Sequence, residues 1–203
     1  MFRRVLVLFV VLCAAAGTAL PGAAQEIDLA GGGGANNVVL VNNTNDGSTA
    51  TRAGLQVAFV GGPTVESANI AAATGFACIG CRTVAVAMQA VVITGHPSVV
   101  APGNAAVATN GGCNFCTTAA FAFQYVLSVH GPLYLSPEGR AQVQALREEL
   151  SATAASDLSP PEMKVALEQT YEKFKAVVNA ELVRVGETPA GTDAVDVQTA
   201  QTP

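Results

Sequence analysis

Apolar and polar positions are distributed unevenly along this chain, and the pattern divides it into a strand-forming region followed by a helix-forming one. Runs rich in Val, Ile, Phe, Tyr and Thr occupy Val38 to Val41, Leu55 to Val60, Thr83 to Thr94 and Ala119 to Val129, each bounded by Gly, Pro or Asn. That composition and punctuation predict β-strands, about six in all. An Ala-rich window such as Ala85 to Ala90 also suits a helix, because periodicity alone does not separate the two over so short a run. The runs barely alternate, so the strands are apolar on both faces. They require cover on both sides, from a second sheet, from helices, or from another molecule.

Downstream the period becomes helical. Ser136-Pro137-Glu138 supplies an N-cap with Pro at the first helical position, and Val143, Leu146 and Leu150 follow on one stripe. Ser159-Pro160-Pro161-Glu162 opens a second helix with a capping-box pattern, and Leu167, Tyr171, Phe174, Val178 and Leu182 share a face. The short turn between them predicts an antiparallel pair. The expected organisation is a signal peptide at 1–24, a Gly-rich linker at 25–35, a β-rich repeat domain at 36–135, a helical hairpin at 136–186 and a disordered tail at 187–203. The tail has too little apolar content to order itself. The expected fold class is mainly β, with repeated β-hairpins forming a small sheet or sandwich, followed by an antiparallel α-helical hairpin.

Sliding the chain along itself reveals a duplicated unit of about 35 residues. Asn69, Ala71, Ala73 and Thr74 fall on Asn104, Ala106, Ala108 and Thr109, and Cys78, Cys81 and Thr83 fall on Cys113, Cys116 and Thr118. Ala85, Ala87, Gln89, Val91 and Pro97 fall on Ala120, Ala122, Gln124, Val126 and Pro132. A weaker upstream copy aligns Asn36 with Asn69 and Gln56 with Gln89, giving units of about 36–68, 69–103 and 104–135. There Asn45-Asp46-Gly47-Ser48 stands in place of Cys78-Ile79-Gly80-Cys81. Asp-Gly between apolar runs is a hairpin signal, since Gly accepts the positive φ of a tight turn, so each Cys-x-x-Cys is expected at a β-hairpin tip. The recurring Gln56, Gln89 and Gln124 are expected to bond equivalent backbone groups and fix register.

The start of the chain changes the reading of the cysteines. A basic Arg3-Arg4, an apolar run from Val5 to Leu12 and the small residues Gly22-Ala23-Ala24 make a secretory signal peptide with cleavage expected after Ala24. Cys13 would leave with it, turning the chain's five cysteines into four: Cys78, Cys81, Cys113 and Cys116. An even count in an exported chain favours disulfides, within each motif or between tips, and needs no cofactor. Four thiolate ligands to zinc are the alternative, because zinc ribbons hold their metal between two such turns. A redox dithiol is a third reading, in which Arg82 would stabilise a thiolate.

Charge narrows the partners. The net charge is −5, and between Ser67 and Pro137 the only formally charged residue is Arg82. No basic surface is offered to phosphates, which argues against nucleic acid, and no membrane span is expected after signal cleavage. His96 and His130 are not equivalent under the repeat and read as turn residues. No His-Glu-x-x-His, Gly-x-Ser-x-Gly or Walker-type loop occurs, so no catalytic residue is assigned.

The run Cys-x-x-Cys-Arg-Thr-Val-Ala-Val-Ala-x-Gln from Cys78 to Gln89, then Pro-Ser-Val-Val-Ala-Pro from Pro97 and a second Cys-x-x-Cys at Cys113, resembles an uncharacterised exported actinobacterial repeat module. Similar segments occur in proteins labelled as peptide zinc metalloproteases. The resemblance covers roughly residues 36 to 150 and implies a place in the cell envelope or outside the cell, accessory to a membrane peptidase system. It carries over no peptidase residue, since the helical histidines and general-base Glu of such enzymes are missing. The expected function is an exported, non-enzymatic structural or interaction module stabilised by disulfides, whose partner is itself or another exported protein. The alternative is a zinc-binding four-cysteine module or a thiol-disulfide redox protein accessory to a membrane peptidase system.

Overall fold

The computed structural model describes residues 35–130, 134–188 and 191–202. The expected signal peptide and all but the last residue of the linker lie outside these. Seven strands and two helices are seen among the described residues: β1 (Ala35–Asn43), β2 (Thr49–Gly61), β3 (Thr64–Phe76), β4 (Arg82–Thr94), β5 (Val99–Gly111), β6 (Thr117–Val129), α1 (Pro137–Ala155), α2 (Pro160–Arg184) and β7 (Gly191–Gln201).

The protein is mainly β, but its strands do not form hairpins. One sheet has the order β1-β3-β5 and the other β2-β4-β6-β7. Pairing from β1 through β6 is parallel throughout. Successive strands therefore lie in different sheets, and each bonds to the strand one circuit later. The chain winds as three stacked coils: β1 with β2, β3 with β4, β5 with β6. The expected hairpins are corrected to arches, and the cause lies in the strands themselves. Strands apolar on both faces are typical of parallel sheets, and stacking pairs the inner strands β3, β4 and β6 on both edges. The register sets Asn69 opposite Asn104 and Gln89 opposite Gln124, so positions that match in sequence meet in space.

The space between the sheets is filled by small side chains, chiefly Ala71, Ala73, Ala85, Ala87, Ala106, Ala120 and Ala122 with Val39. Two amide ladders cross this interior. Asn37 Nδ2 donates to Asn69 Oδ1 at 2.9 Å, and Asn69 Nδ2 to Asn104 Oδ1 at 2.7 Å. Gln124 Nε2 donates to Gln89 Oε1 at 2.9 Å, and Gln89 Nε2 to Gln56 Oε1 at 2.8 Å. The glutamines thus fix register by bonding the same amide one coil away, more than by the backbone contacts expected of them. The asparagines also serve the facing sheet, since Asn69 Nδ2 reaches the carbonyls of Ala87 and Phe123.

Among the described residues, helices cover only one outer face. Val84, Val86, Met88, Phe121 and Phe123 of the larger sheet pack against Leu146, Leu150, Met163, Leu167 and Phe174. The helices run antiparallel, because Ser136 before α1 contacts Glu181 near the end of α2 while Glu149 meets Thr170. The segment expected to be disordered is ordered from Gly191 to Gln201 as β7, antiparallel to β6. Backbone pairing on an exposed edge, more than apolar burial, orders it. Asp196 accepts the Ala106 N–H at 2.8 Å, and Asp193 binds Tyr171 and Lys175.

Two expectations for mutants and pH follow from these contacts. Asn69→Ala breaks the ladder between Asn37 and Asn104 and removes the side-chain donor to the Ala87 and Phe123 carbonyls, and should cost at least about 2 kcal/mol in urea unfolding. Asn42→Ala, on an exposed position of β1, should stay within about 0.5 kcal/mol. The second concerns Glu181, which is buried beneath the start of α1. Burial raises its pKa, but the N–H and O–H of Ser136 and the Arg184 guanidinium outweigh that and hold it below 4.5. A depressed folded value means that its stabilisation is complete above the unfolded value and is lost as pH falls through the folded one. Glu181→Gln should therefore flatten the acid limb of a stability-against-pH curve below about pH 4.5.

Candidate metal centre

The arches that join the strands of each coil lie directly over one another. In coil one the corner is Asn45-Asp46-Gly47-Ser48, in coil two Cys78-Ile79-Gly80-Cys81, and in coil three Cys113-Asn114-Phe115-Cys116. Each turns through a left-handed residue at the third position: Gly47 at φ 61°, Gly80 at φ 64° and Phe115 at φ 56°. The positive φ anticipated from Asp-Gly is thus correct, although the turn joins two sheets instead of two paired strands. Backbone bonds knit the corners together. Gly47 N–H donates to Ile79 O at 2.8 Å, Gly80 N–H to Asn114 O at 2.8 Å, and Thr117 N–H to Cys81 O at 2.9 Å.

Stacking gathers all four cysteines into one buried group whose sulfurs lie within 4.8 Å of one another. Cys78 and Cys81 are at disulfide distance, 2.05 Å, whereas Cys113 and Cys116 are free thiols. Pairing of all four is therefore not seen. Across the coils, Cys81 Sγ is 2.9 Å from Cys116 Sγ, and Cys78 Sγ lies 3.6 Å from Cys113 Sγ and 3.7 Å from Cys116 Sγ. Cys116 turns toward coil two, its thiol directed at the Cys78 carbonyl at 3.3 Å, instead of toward Cys113.

The sulfur-free corner shows what the cysteines replace. Asn43 Nδ2 donates to the carbonyls of Ser48 and Arg82, while its Oδ1 accepts from Asn45 N–H and Ser48 Oγ. Amide and hydroxyl bonds hold coil one's turn where sulfur occupies the next two. Gly75 is required beside the cluster, because a Cβ there would lie 2.7 Å from Asn110 Oδ1 and 3.4 Å from Cys113 Sγ.

Other sequence candidates fall elsewhere. Arg82 does not reach the sulfurs with its guanidinium; Nη2 donates to the carbonyls of Ser156 and Leu158, tying coil two to the helix connection. The thiolate-stabilising role considered for it has no support in this geometry. His96 and His130, inequivalent in sequence, have ring centroids 6.1 Å apart, and His130 Nδ1 is 3.3 Å from Glu187 on the surface. Sequence reasoning missed that meeting because it depends on the stacking of coils two and three. Among the described residues the four cysteines are the group with metal-ligand geometry, and no helix is long and apolar enough to cross a membrane.

No protein-family model, curated protein or solved structure matches this chain. The fold and site therefore define it on their own terms: a three-coil parallel β stack with a four-cysteine corner, backed by a helical pair.

Phe115 is the one corner residue of the three that carries a bulky side chain at positive φ, and its ring is 74% exposed, so it gains little from burial. Phe115→Gly should stabilise the fold by about 1 kcal/mol, read as a raised denaturation midpoint at unchanged m-value. Gly80→Phe, the reverse exchange in coil two, should destabilise it by a similar amount.

Proposed function

We propose that the chain is an exported, non-enzymatic structural module that associates with a second copy of itself through the outer face of the β1-β3-β5 sheet. The observation that carries this reading is that, among the described residues, nothing packs on the outer face of this parallel sheet. Parallel sheets are ordinarily covered on both sides, and here α1 and α2 cover only the outer face of the other sheet. The bare face is apolar in rows that follow the register: Val38, Ile70 and Ala105 in one, Leu40, Ala72 and Val107 in the next. Leu40 and Val107 are exposed, and beyond them Thr74 and Thr109 continue the face.

A second copy suits this surface better than a charged partner. Three strands spaced about 4.8 Å apart present roughly 500 Å² per copy, so two faces together bury about 1,000 Å², the range of a weak dimer. Glu66 at one end is the single formal charge facing outward from these strands, so like faces meet without repulsion. Export rests on the signal-peptide pattern of residues 1–24. An accessory role beside a membrane peptidase system rests on the sequence resemblance. The cysteine corner serves as a fastener between coils two and three as a zinc thiolate or as a disulfide drawn between the two tips, whereas the Cys78–Cys81 bond itself lies within coil two.

Secreted material beginning at Gln25 should show a concentration-dependent monomer–dimer equilibrium by light scattering, with a midpoint in the micromolar range. Leu40→Lys with Val107→Lys should leave it monomeric with an unchanged far-UV circular dichroism spectrum. A wild-type chain that stays monomeric at high concentration would remove the proposal.

A further inference from the structure

We infer that, once the Cys78–Cys81 bond is reduced, Cys78, Cys81, Cys113 and Cys116 bind one Zn²⁺ as four thiolates and clamp coil two to coil three. This rests on reading the corner as a fastener, and it names the chemistry of that fastener. It is independent of the dimer face.

The four sulfurs converge from two coils. Two separate disulfides would need only two pairs of sulfurs, each pair at bonding distance. Here all four sulfurs lie within 4.8 Å of one another. In a tetrahedral site with zinc–sulfur bonds of about 2.3 Å, neighbouring sulfurs sit about 3.8 Å apart. The Cys78–Cys113 and Cys78–Cys116 separations, 3.6 and 3.7 Å, already match that edge. The Cys81–Cys116 contact at 2.9 Å and the bonded Cys78–Cys81 pair must widen. Reduction frees the second pair to open.

The donor set and its scaffold suit the same metal. Four sulfurs in tetrahedral array select zinc or an iron centre among common metals, and zinc itself has no redox chemistry. Four protein ligands leave no open position, so the centre is structural and not catalytic. The ligands belong to adjacent coils whose corners are already aligned by the Ile79–Asn114 bridge and the Asn114 N–H to Cys78 O bond at 3.2 Å. Little backbone ordering remains for the metal to impose.

The chemistry balances in two steps. A dithiol reductant supplies two electrons and two protons, the Cys78–Cys81 bond breaks into two thiols, and the reductant closes its own disulfide. Zn²⁺ then displaces the four thiol protons and leaves a centre of net charge −2.

The test uses the full chain carrying Cys13→Ser, reduced with a dithiol and then freed of reductant without oxygen. Zinc should remain at one ion per chain after dialysis, with all four thiols protected until a chelator releases them. Substitution with Co²⁺ should give the intense visible bands of a tetrahedral thiolate site. Cys113→Ser and Cys116→Ser should each weaken Co²⁺ binding by more than the ~100-fold seen when only an outer-shell partner is lost. Should a serine variant fail to fold, the wild-type cobalt spectrum still decides the matter. Folded, reduced chain that takes up no metal, cobalt bands of octahedral type, or serine variants that keep full affinity would each overturn the inference. None of these outcomes bears on whether the chain dimerises.

Discussion

The amide ladders impose the constraint on which everything else depends. Gln89 is fully buried between two sheets, and a buried amide that lacks partners costs more than most single contacts return. Its partners are Gln56 below and Gln124 above. A slip of one residue between coils would break both bonds and turn the small interior side chains outward, since side chains alternate faces with a period of two. Asn37, Asn69 and Asn104 set the same condition in the facing sheet. Register is therefore specified twice, by polar groups in an interior otherwise made of alanine.

Alignment of the corners follows from that register. Once Gln89 sits on Gln124, Cys81 must sit on Cys116, because the same number of residues separates each pair. The interior alanines add a second consequence. They let the sheets approach closely but supply little buried apolar area, so the larger hydrophobic contribution comes from outside, where Phe121 and Phe123 meet Leu167 and Phe174. The helical pair is part of the core, and β7 completes one end of it by pairing with β6 and accepting the Ala106 N–H.

Much of this was legible in the residues, and the failures have physical causes. The helix starts were readable because caps are local: Ser136 accepts the Gly139 N–H, and Glu162 accepts from Ser159 as the capping-box spacing implies. The left-handed turns at Gly47 and Gly80 were readable for the same reason. Strand partners were not, because an Asp-Gly corner fits a hairpin or an arch equally well, and the choice is made by residues one coil away. The signal that distinguishes them was present in the equal spacing of Gln and Cys across units together with strands apolar on both faces. β3 and β5 were faint because Ala, Asn and Gly make up much of them. β7 was invisible for another reason, since a polar segment orders only on an edge that the sequence does not display.

The placement of sulfur in two corners and not in the third is a matter of what each corner has to hold. Coil one's turn is closed within itself by Asn43, Asn45 and Ser48, and it touches coil two through Gly47 N–H and the Asp46 carboxylate, which accepts the Ile79 N–H at 2.8 Å. Coil three's turn carries Phe115 in a conformation that disfavours it, and no further coil stacks on it among the described residues. A local four-residue ring such as Cys78–Cys81 constrains the unfolded chain little, because loop entropy grows with the length enclosed. A link between Cys81 and Cys116 encloses a whole coil. The sulfurs gain most by joining coils two and three, and their convergence across that joint is the arrangement such a link requires.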